Sequence, residues 1–193
     1  MKTLILASQS PRRQELLSLM GFTFSVQSAG IDETPRSAES PLALVERLAL
    51  EKAEAVYAQL DADSQNDTCV LAADTIVVAQ QRILGKPSDK ADFEFMMGLL
   101  SDAEHQVLTA IAGVSAERRI VECIATDVTF CPLSQHDIEH YWASQEPKDK
   151  AGGYGIQGLG GQFVSRINGS YSSVVGLPMV ETRQLLERFG VQR

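Results

Sequence analysis

The sequence predicts an α/β domain with a mixed, twisted sheet and flanking helices, and three observations lead to this prediction. Short apolar or alternating runs typical of strands alternate along the chain with runs of helical period. Two long alternating runs, at 105–115 and 119–131, predict a hairpin. Apolar residues make up 44% of the 193 residues, which is enough for a real core. At this length we expect one domain that spans 1–193, although two small domains are possible.

The N-terminal half begins with a predicted strand at 3–7 and a helix that ends at Gly21. Ser10 is a good N-cap and Pro11 suits the first helical position. Alternation predicts a strand at 22–26, and polar composition predicts a loop at 30–40. A long helix is expected at 41–60, followed by a polar connector at 61–67. Two strands, at 68–73 and 76–84, complete this half, and the second is broken at 85–87.

The C-terminal half continues with a helix at 88–100, and the hairpin follows it. Ser134 and Asp137 resemble a capping box, so a helix is expected from there to Ala143. The glycine-rich stretch 152–161 is predicted to be a loop. A last helix is expected from about 178 to 189, because Gly190 is a typical stop signal.

Charge, hydropathy and cysteine content exclude several classes of protein. The net charge is −8, and no basic stripe suited to duplex nucleic acid is present. No segment approaches the length of a membrane span, and the first apolar run stops at Ser8, too short for a signal peptide. The three cysteines have no CxxC spacing, which indicates core thiols in a reducing, cytoplasmic protein.

Two adjacent arginines, Arg12 and Arg13, lie in the first turn of the predicted first helix. Free N–H groups and the positive end of the helix dipole favour an anion there. Guanidinium groups add charge and forked donors that match phosphate oxygens. The segment is therefore consistent with a phosphate site, although a solvated arginine pair beside surface acids explains it as well.

Lys52 is a charge on the apolar stripe of the predicted helix at 41–60. It lies four residues from both Leu48 and Val56, which face the same side. An ammonium on that side is costly unless it is paired or faces a cleft. Lys52 is therefore either a snorkelling lysine at the edge of the core or a lysine that reaches an anion or a carboxylate.

Asp74 lies between two apolar strand runs, so its carboxylate is either buried or at the end of the sheet. Ligands of α/β sheets bind at the carboxyl ends of strands, where an aspartate can hold a divalent metal or accept a proton from water. The alternative is an aspartate that caps its own strand-ending turn. Glu33 in the predicted loop is either a second carboxylate of the site or a solvated acid.

Two further segments suggest phosphate or nucleotide binding but do not establish it. Lys86 lies in a turn stiffened by Pro87, which suits a fixed cation, although exposed turn lysines are common. The stretch 153–158 satisfies G-x-G-x-x-G, but no predicted strand precedes it and no predicted helix follows it. The stretch therefore lacks the context of a dinucleotide-binding loop.

Five segments occur in an order that resembles the Maf family of nucleotide pyrophosphatases over nearly the whole chain. They are SQSPRR at 8–13, ADT at 73–75, GKP at 85–87, KAGGYGIQG at 150–158 and GSYSSVVGLP at 169–178. The resemblance implies a fold related to the inosine-triphosphate pyrophosphatases, with two lobes around a cleft. It also implies hydrolysis of a nucleoside triphosphate to monophosphate and pyrophosphate with a divalent metal, Mg²⁺ or Mn²⁺.

The resemblance further implies roles for individual residues. Gly155 to Gly158 resembles the subgroup that acts on dTTP and UTP, and Asp74 would accept the proton of the attacking water. Base choice would involve Arg12, Thr75 and Gln157. The phosphates would bind to Ser8, Arg13, Lys52 and Lys86. Glu33 and Asp74 would hold the metal, and a homodimer is expected because the family often forms one.

Two other functions are compatible with the same resemblance. A regulator of cell division or septum formation would bind triphosphate with little turnover, and would need the phosphate site but not Asp74. A house-cleaning hydrolase would prefer modified nucleotides, such as 7-methyl-GTP, over dTTP and UTP.

Overall fold

The computed structural model describes residues 2–28 and 30–193, and within them a mixed sheet is flanked by helices. The strands are β1 (Thr3–Leu6), β2 (Ser25–Val26), β3 (Thr68–Ala79), β4 (Arg82–Leu84), β5 (Glu104–Val114), β6 (Arg119–Phe130) and β7 (Val164–Asn168). The helices are α1 (Pro11–Leu19), α2 (Pro41–Tyr57), α3 (Ala62–Asp67), α4 (Lys90–Leu100), α5 (Gln135–Ala143), α6 (Tyr171–Val175) and α7 (Met179–Arg188). The predicted α/β class is therefore confirmed.

The seven strands form one sheet in the order β2-β1-β3-β5-β6-β7, with β4 paired to β3. The β1 strand pairs in parallel with both β2 and β3, whereas the β3–β4 and β6–β7 pairs are antiparallel. The predicted hairpin is present as β5 and β6. The sheet is therefore mixed, as the sequence predicts.

The chain divides into two compact units, each assembled from separate segments. Unit 1 consists of Met1–Asp74, Thr109–Ile124 and Gly176–Arg193, and unit 2 of Thr75–Leu108 and Ala125–Val175. The boundary between the first segment of unit 1 and the first segment of unit 2 therefore lies between Asp74 and Thr75, in the middle of β3.

The core of unit 1 is built from strand residues of β1 and β3 and the inward stripe of α2. Pro41 opens α2, and the Ser40 hydroxyl accepts a hydrogen bond from the Ala43 amide at 3.2 Å. The buried residues of α2 are Leu44, Val45, Leu48, Ala49, Ala53, Val56 and Tyr57. Their spacing of three and four residues places them on one face, as the helical period requires.

The core of unit 2 is aromatic-rich and lies around α4 and α5. It consists of Val77, Ala79, Leu84, Phe93, Met96, Met97, Leu100, Val107, Val128, Phe130, Ile138, Tyr141, Tyr154 and Phe163. The capping box predicted at Ser134 is present, because Ser134 and Asp137 bond each other's backbone N–H. This cap fixes the start of α5 and so the position of Tyr141 on its buried face.

The predicted break between two strands at Asp74 is wrong. β3 runs without interruption from Thr68 to Ala79, with Asp74 buried in its middle. The chain turns only at Gln80 and Gln81, whose φ angles are 48° and 63°. Two successive positive φ values are typical of the tight hairpin turn that leads to β4, a turn for which glycine and asparagine are the usual signals.

Other differences concern short elements. The connector expected at 61–67 contains α3, because the Asp61 carboxylate accepts a hydrogen bond from the Ser64 amide at 2.8 Å. The strand predicted at 22–26 is reduced to β2. The glycine-rich loop contains two 3₁₀ turns, Ala151–Gly153 and Leu159–Phe163. β7 and α6 were not predicted, because their short, mostly polar runs lack a clear period.

Replacement of Gly113 by alanine tests the close packing of unit 1. A Cβ atom at Gly113 on β5 would lie 2.5 Å from Cε2 of the buried Phe189. We expect Gly113→Ala to lower the free energy of unfolding by about 1–3 kcal/mol, the usual cost of overpacking. Urea denaturation checks this, with Gly98→Ala on α4, where a Cβ meets open space, as the control. Equal stability of Gly113→Ala and wild type would contradict the packing argument.

Candidate functional site

Lys52 is the centre of a charged cluster in unit 1. Its Nζ lies 2.7 Å from Oδ1 of Asp74 and 2.9 Å from Oε1 of Glu33. The side chain of Lys52 is only 15% exposed, and that of Glu33 is 60% exposed. Of the two interpretations of Lys52, the one in which it reaches a carboxylate is therefore confirmed, and the snorkelling interpretation is wrong.

Asp74 is a buried carboxylate on β3, with 7% of the residue exposed. Burial raises the pKa of Asp74 above its usual range, while the charges of Lys52 and Arg13 oppose this shift. The alternative of a turn-capping aspartate is excluded by its position inside a continuous strand. A carboxylate with a raised pKa and an adjacent cation suits a proton acceptor.

Arg13 is held at the start of α1 by two acceptors from the same unit. Its Nε donates to the carbonyl of Gly176 at 2.9 Å, and its NH1 donates to the Ser8 hydroxyl at 3.3 Å. Burial lowers the pKa of Arg13, and the nearby carboxylate of Asp74 raises it. Arg12 is half-buried in the same turn. The structure thus brings Ser8, Arg13, Lys52, Asp74 and Glu33 into one unit, with the two arginines at a helix N-terminus.

The Ser8 hydroxyl, and not that of Ser10, bonds the backbone at this turn. Ser10 occupies the N-cap position of α1, but within the described residues its side chain makes no cap hydrogen bond. Instead the Ser8 hydroxyl accepts a hydrogen bond from the Ser10 amide at 3.2 Å. Ser8 therefore links the end of β1, the helix start and the guanidinium of Arg13.

The loop that carries Glu33 is fastened by an ion-pair network that sequence reasoning missed. Arg47 on α2 donates through Nε and NH2 to the carboxylate of Glu39 at 2.6 and 2.8 Å, and through NH2 to the carbonyl of Thr34 at 3.2 Å. The hydrogen bonds from Arg47 to Glu39 are the largest cause of the lowered pKa of Glu39, which is about 2. The spacing of Arg47 and Glu51, which are four apart on α2 and 2.9 Å from each other, was the available signal.

Three of the predicted site residues belong to unit 2. Thr75 follows Asp74 on β3 and is half-buried, whereas Lys86 and Gln157 are exposed. Lys86 follows Gly85, whose carbonyl accepts a hydrogen bond from the Gly152 amide at 2.9 Å. Gln157 occupies a turn closed by a hydrogen bond from the Gly158 amide to the Gly155 carbonyl at 3.2 Å. The turn segments 85–87 and 150–158 are thus joined through their backbones.

The carboxylates of Glu33 and Asp74 have the chemistry that a magnesium or manganese ion requires. Mg²⁺ usually binds one or two carboxylates and takes its remaining ligands from water and substrate phosphates. No group of three or more histidine, cysteine, aspartate or glutamate side chains suited to a metal is found among the described residues. Glu33 and Asp74 alone would leave most ligand positions of such an ion to water or phosphate oxygens.

Other groups considered in the sequence lie outside this cluster. His136 and His140 are exposed on α5, with ring centroids 6.2 Å apart. The stretch 153–158 is bordered by 3₁₀ turns and not by a strand and a helix, so the expected lack of dinucleotide-binding context is confirmed. The three cysteines are free thiols, as predicted, but only Cys69 is buried, so the prediction of core thiols is wrong for Cys123 and Cys131. In the part of the chain that the structure describes, every helix is too short or too polar for a membrane span.

Comparison with known proteins identifies relatives over nearly the full length. The family model described as Maf-like protein matches residues 3–189. A Shewanella oneidensis protein named dTTP/UTP pyrophosphatase is 54% identical, with 97% of this chain and 98% of that protein covered. A Hahella chejuensis protein of the same name is 51% identical, with coverages of 99% and 94%. The solved Staphylococcus aureus Ham1 protein aligns with a TM-score of 0.49 at 15% identity, over 96% of this chain and 90% of that chain.

Removal of the Lys52 charge tests the buried pair. We expect Lys52→Met to lower the free energy of unfolding by about 3 kcal/mol at neutral pH, because Asp74 would be left as an uncompensated buried charge. Loss of Lys52 also raises the pKa of Asp74 further, so the folded protein binds a proton more readily than the unfolded chain does. The difference in the free energy of unfolding between wild type and Lys52→Met should therefore decrease as the pH falls from about 8 to about 5.

The control for this experiment is Lys90→Met. Lys90 pairs with Glu94 on the exposed side of α4 at 3.3 Å, and its removal should cost at most about 0.5 kcal/mol at either pH. Urea denaturation at the two pH values measures both variants. A Lys52→Met deficit that does not change with pH would contradict the assignment of a charged Asp74 as its cause.

Proposed function

Because this chain belongs to the Maf-like protein family, we propose that it is a nucleoside triphosphate pyrophosphatase that hydrolyses dTTP and UTP to the monophosphate and pyrophosphate. The naming of relatives about 50% identical to it supports this substrate choice. The structural observation that carries the proposal is the buried Asp74 carboxylate with Lys52 Nζ at 2.7 Å. This pair offers a base and a cation at one place, which a purely structural acid on a strand does not need.

Asp74 is the proposed proton acceptor for the attacking water. Its carboxylate takes a proton while the water oxygen forms a bond to the α-phosphorus. The bond between that phosphorus and the oxygen bridging to the β-phosphate breaks, and pyrophosphate leaves with the electron pair. Burial makes the carboxylate a stronger base, and Lys52 keeps it ionised, so both influences on its pKa serve this step.

The cations of unit 1 are proposed to bind phosphate oxygens. Lys52, Arg13 and the hydroxyl of Ser8 are fixed by protein contacts, so little ordering is required when a triphosphate binds. Lys86 is proposed as a further phosphate ligand on the family resemblance. A protein of net charge −8 needs such local positive groups to admit a polyanion.

A divalent cation, Mg²⁺ or Mn²⁺, is proposed as the cofactor. Glu33 and Asp74 would hold it, since their carboxylates supply the hard oxygen ligands that these ions prefer. When bound, the ion would neutralise charge on the phosphates and polarise the phosphorus–oxygen bonds. Glu33 is suited to this task because its loop is fixed by Arg47 while its carboxylate stays exposed.

Base selection is proposed for Gln157, with Arg12 and Thr75 as further positions. A glutamine amide is both a donor and an acceptor, so it matches a pyrimidine edge that presents both. A cytoplasmic location and a homodimer are also proposed. The free thiols support a reducing compartment, and the dimer is expected from the family resemblance.

Replacement of Asp74 tests the reaction. We expect Asp74→Asn to lower the turnover of dTTP by about 10²-fold or more, the usual scale for loss of a general base, with nucleotide binding retained. The assay is a panel of normal and modified triphosphates with Mg²⁺ or Mn²⁺ that resolves monophosphate, diphosphate, phosphate and pyrophosphate. Wild-type binding without turnover would indicate a regulator, and a preference for modified nucleotides would indicate a house-cleaning hydrolase.

Replacement of Gln157 tests the choice of base. We expect Gln157→Ala to reduce the ratio of kcat/KM for dTTP to that for dCTP by about tenfold, with a smaller effect on the maximal rate. The reason is that the amide contacts the base and not the reacting phosphate. The matched control is Gln135→Ala, an exposed glutamine at the start of α5. An unchanged ratio would show that Gln157 does not read the base.

A further inference from the structure

Two side chains that belong to no recognised sequence motif hold the turn that carries Gln157 through hydrogen bonds to its backbone. Glu146 lies in the 3₁₀ turn Glu146–Asp149 and is half-buried, and Tyr141 on α5 is 1% exposed. The Tyr141 hydroxyl donates to Oε1 of Glu146 at 2.8 Å. Both side chains belong to unit 2, as does Gln157.

The two side chains accept hydrogen bonds from backbone amides on both sides of Gln157. The Gly155 amide donates to the Tyr141 hydroxyl at 3.0 Å. The Leu159 amide donates to Oε2 of Glu146 at 2.8 Å, and the Gly160 amide to Oε1 at 3.1 Å. Bonds to a carboxylate are about twice as strong as those between neutral groups. The turn is therefore fastened before and after Gln157.

Two glycines of this turn, Gly158 and Gly160, lie directly against the same two side chains. A Cβ atom at Gly158 would lie 2.3 Å from Oε2 of Glu146, and one at Gly160 would lie 2.5 Å from the Tyr141 oxygen. The φ angle of Gly158 is −106°, which any residue adopts. Gly158 is thus required by the proximity of the carboxylate and not by its backbone conformation.

The preceding residue, Tyr154, is fixed as well. It is buried, and its hydroxyl lies 2.8 Å from Nε2 of the buried His105. Its ring packs edge-to-face on Phe130, with centroids 4.8 Å apart. Ile156 packs against the core of unit 2, so Gln157 is the exposed polar side chain of this turn.

We propose that Glu146, supported by Tyr141, is a positioning residue for base selection: it holds the 155–160 turn so that the Gln157 amide meets the base in one orientation. This inference rests on the proposed function, in which Gln157 reads the base. Glu146 itself touches no substrate, because its carboxylate is occupied by Tyr141 and two backbone amides. Replacement of Glu146 should therefore change the selectivity between nucleotides more than it changes kcat.

The test compares Glu146→Gln and Gly158→Ala with wild type. The glutamine places an NH₂ group where a backbone amide needs an acceptor, and the alanine methyl group displaces the carboxylate. Both should lower the dTTP-to-dCTP ratio of kcat/KM toward the value of Gln157→Ala, by about tenfold, with kcat for dTTP within about threefold of wild type. Glu139→Gln, an exposed residue of α5 bonded to Gln135, and Gly98→Ala are the matched controls.

A second measurement, which needs no turnover, is amide hydrogen exchange. We expect faster exchange at Leu159 and Gly160 in Glu146→Gln and Gly158→Ala, with no change in the controls. If amide exchange at Leu159 and Gly160 is unchanged in these variants, the inference is wrong. This outcome does not depend on hydrolysis, so it can be distinguished from failure of the proposed function. The inference is also overturned if Gln157→Ala lowers the dTTP-to-dCTP ratio of kcat/KM but Glu146→Gln leaves this ratio unchanged. An equal loss of kcat with all nucleotides in Glu146→Gln overturns it as well.

Discussion

The ion pair between Lys52 and Asp74 is the contact on which the arrangement of unit 1 depends. An ionised carboxylate in the middle of a buried strand is costly unless a partner is close, and here the ammonium lies 2.7 Å away. The partner must come from a helix whose inward face is otherwise apolar, so the position of Lys52 on α2 sets how that helix meets β3. A pair of hydrophobic residues at these two positions would stabilise the fold equally well. The presence of an ion pair instead therefore indicates a catalytic or binding role.

Further contacts extend from this pair and fix the groups around it. Arg47 holds the loop of Glu33, while Ser8 and the Gly176 carbonyl hold the guanidinium of Arg13. Each cation of the cluster is thus anchored by neutral or anionic groups of the same unit. An arrangement of this kind is costly to assemble once, during folding, but it requires little rearrangement when an anion arrives.

The sequence predicted the parts of the fold and the site that local signals determine. The helices α2, α5 and α7 have caps and apolar periods, and they lie close to where these signals put them. Lys52 and Asp74 were found because each violates an apolar pattern. The unbroken β3 was missed for the same reason, since a charge inside an apolar run resembles a strand end until its partner is known. Long-range contacts such as Arg13 to Gly176, 163 residues apart, leave no local pattern.

The glycine-rich segment shows how a tertiary contact can determine composition. Glycine-rich stretches usually indicate flexibility, yet at Gly158 and Gly160 the carboxylate of Glu146 and the hydroxyl of Tyr141 occupy the space where a side chain would be. At Gly155 and Gly160 the backbone amide itself comes within hydrogen-bond distance of those oxygens. The result is a turn with more fixed backbone donors than an ordinary loop. The same absence of side chains that suggests mobility in the sequence therefore produces order in the fold, and it leaves Gln157 as the polar side chain that this turn presents outward.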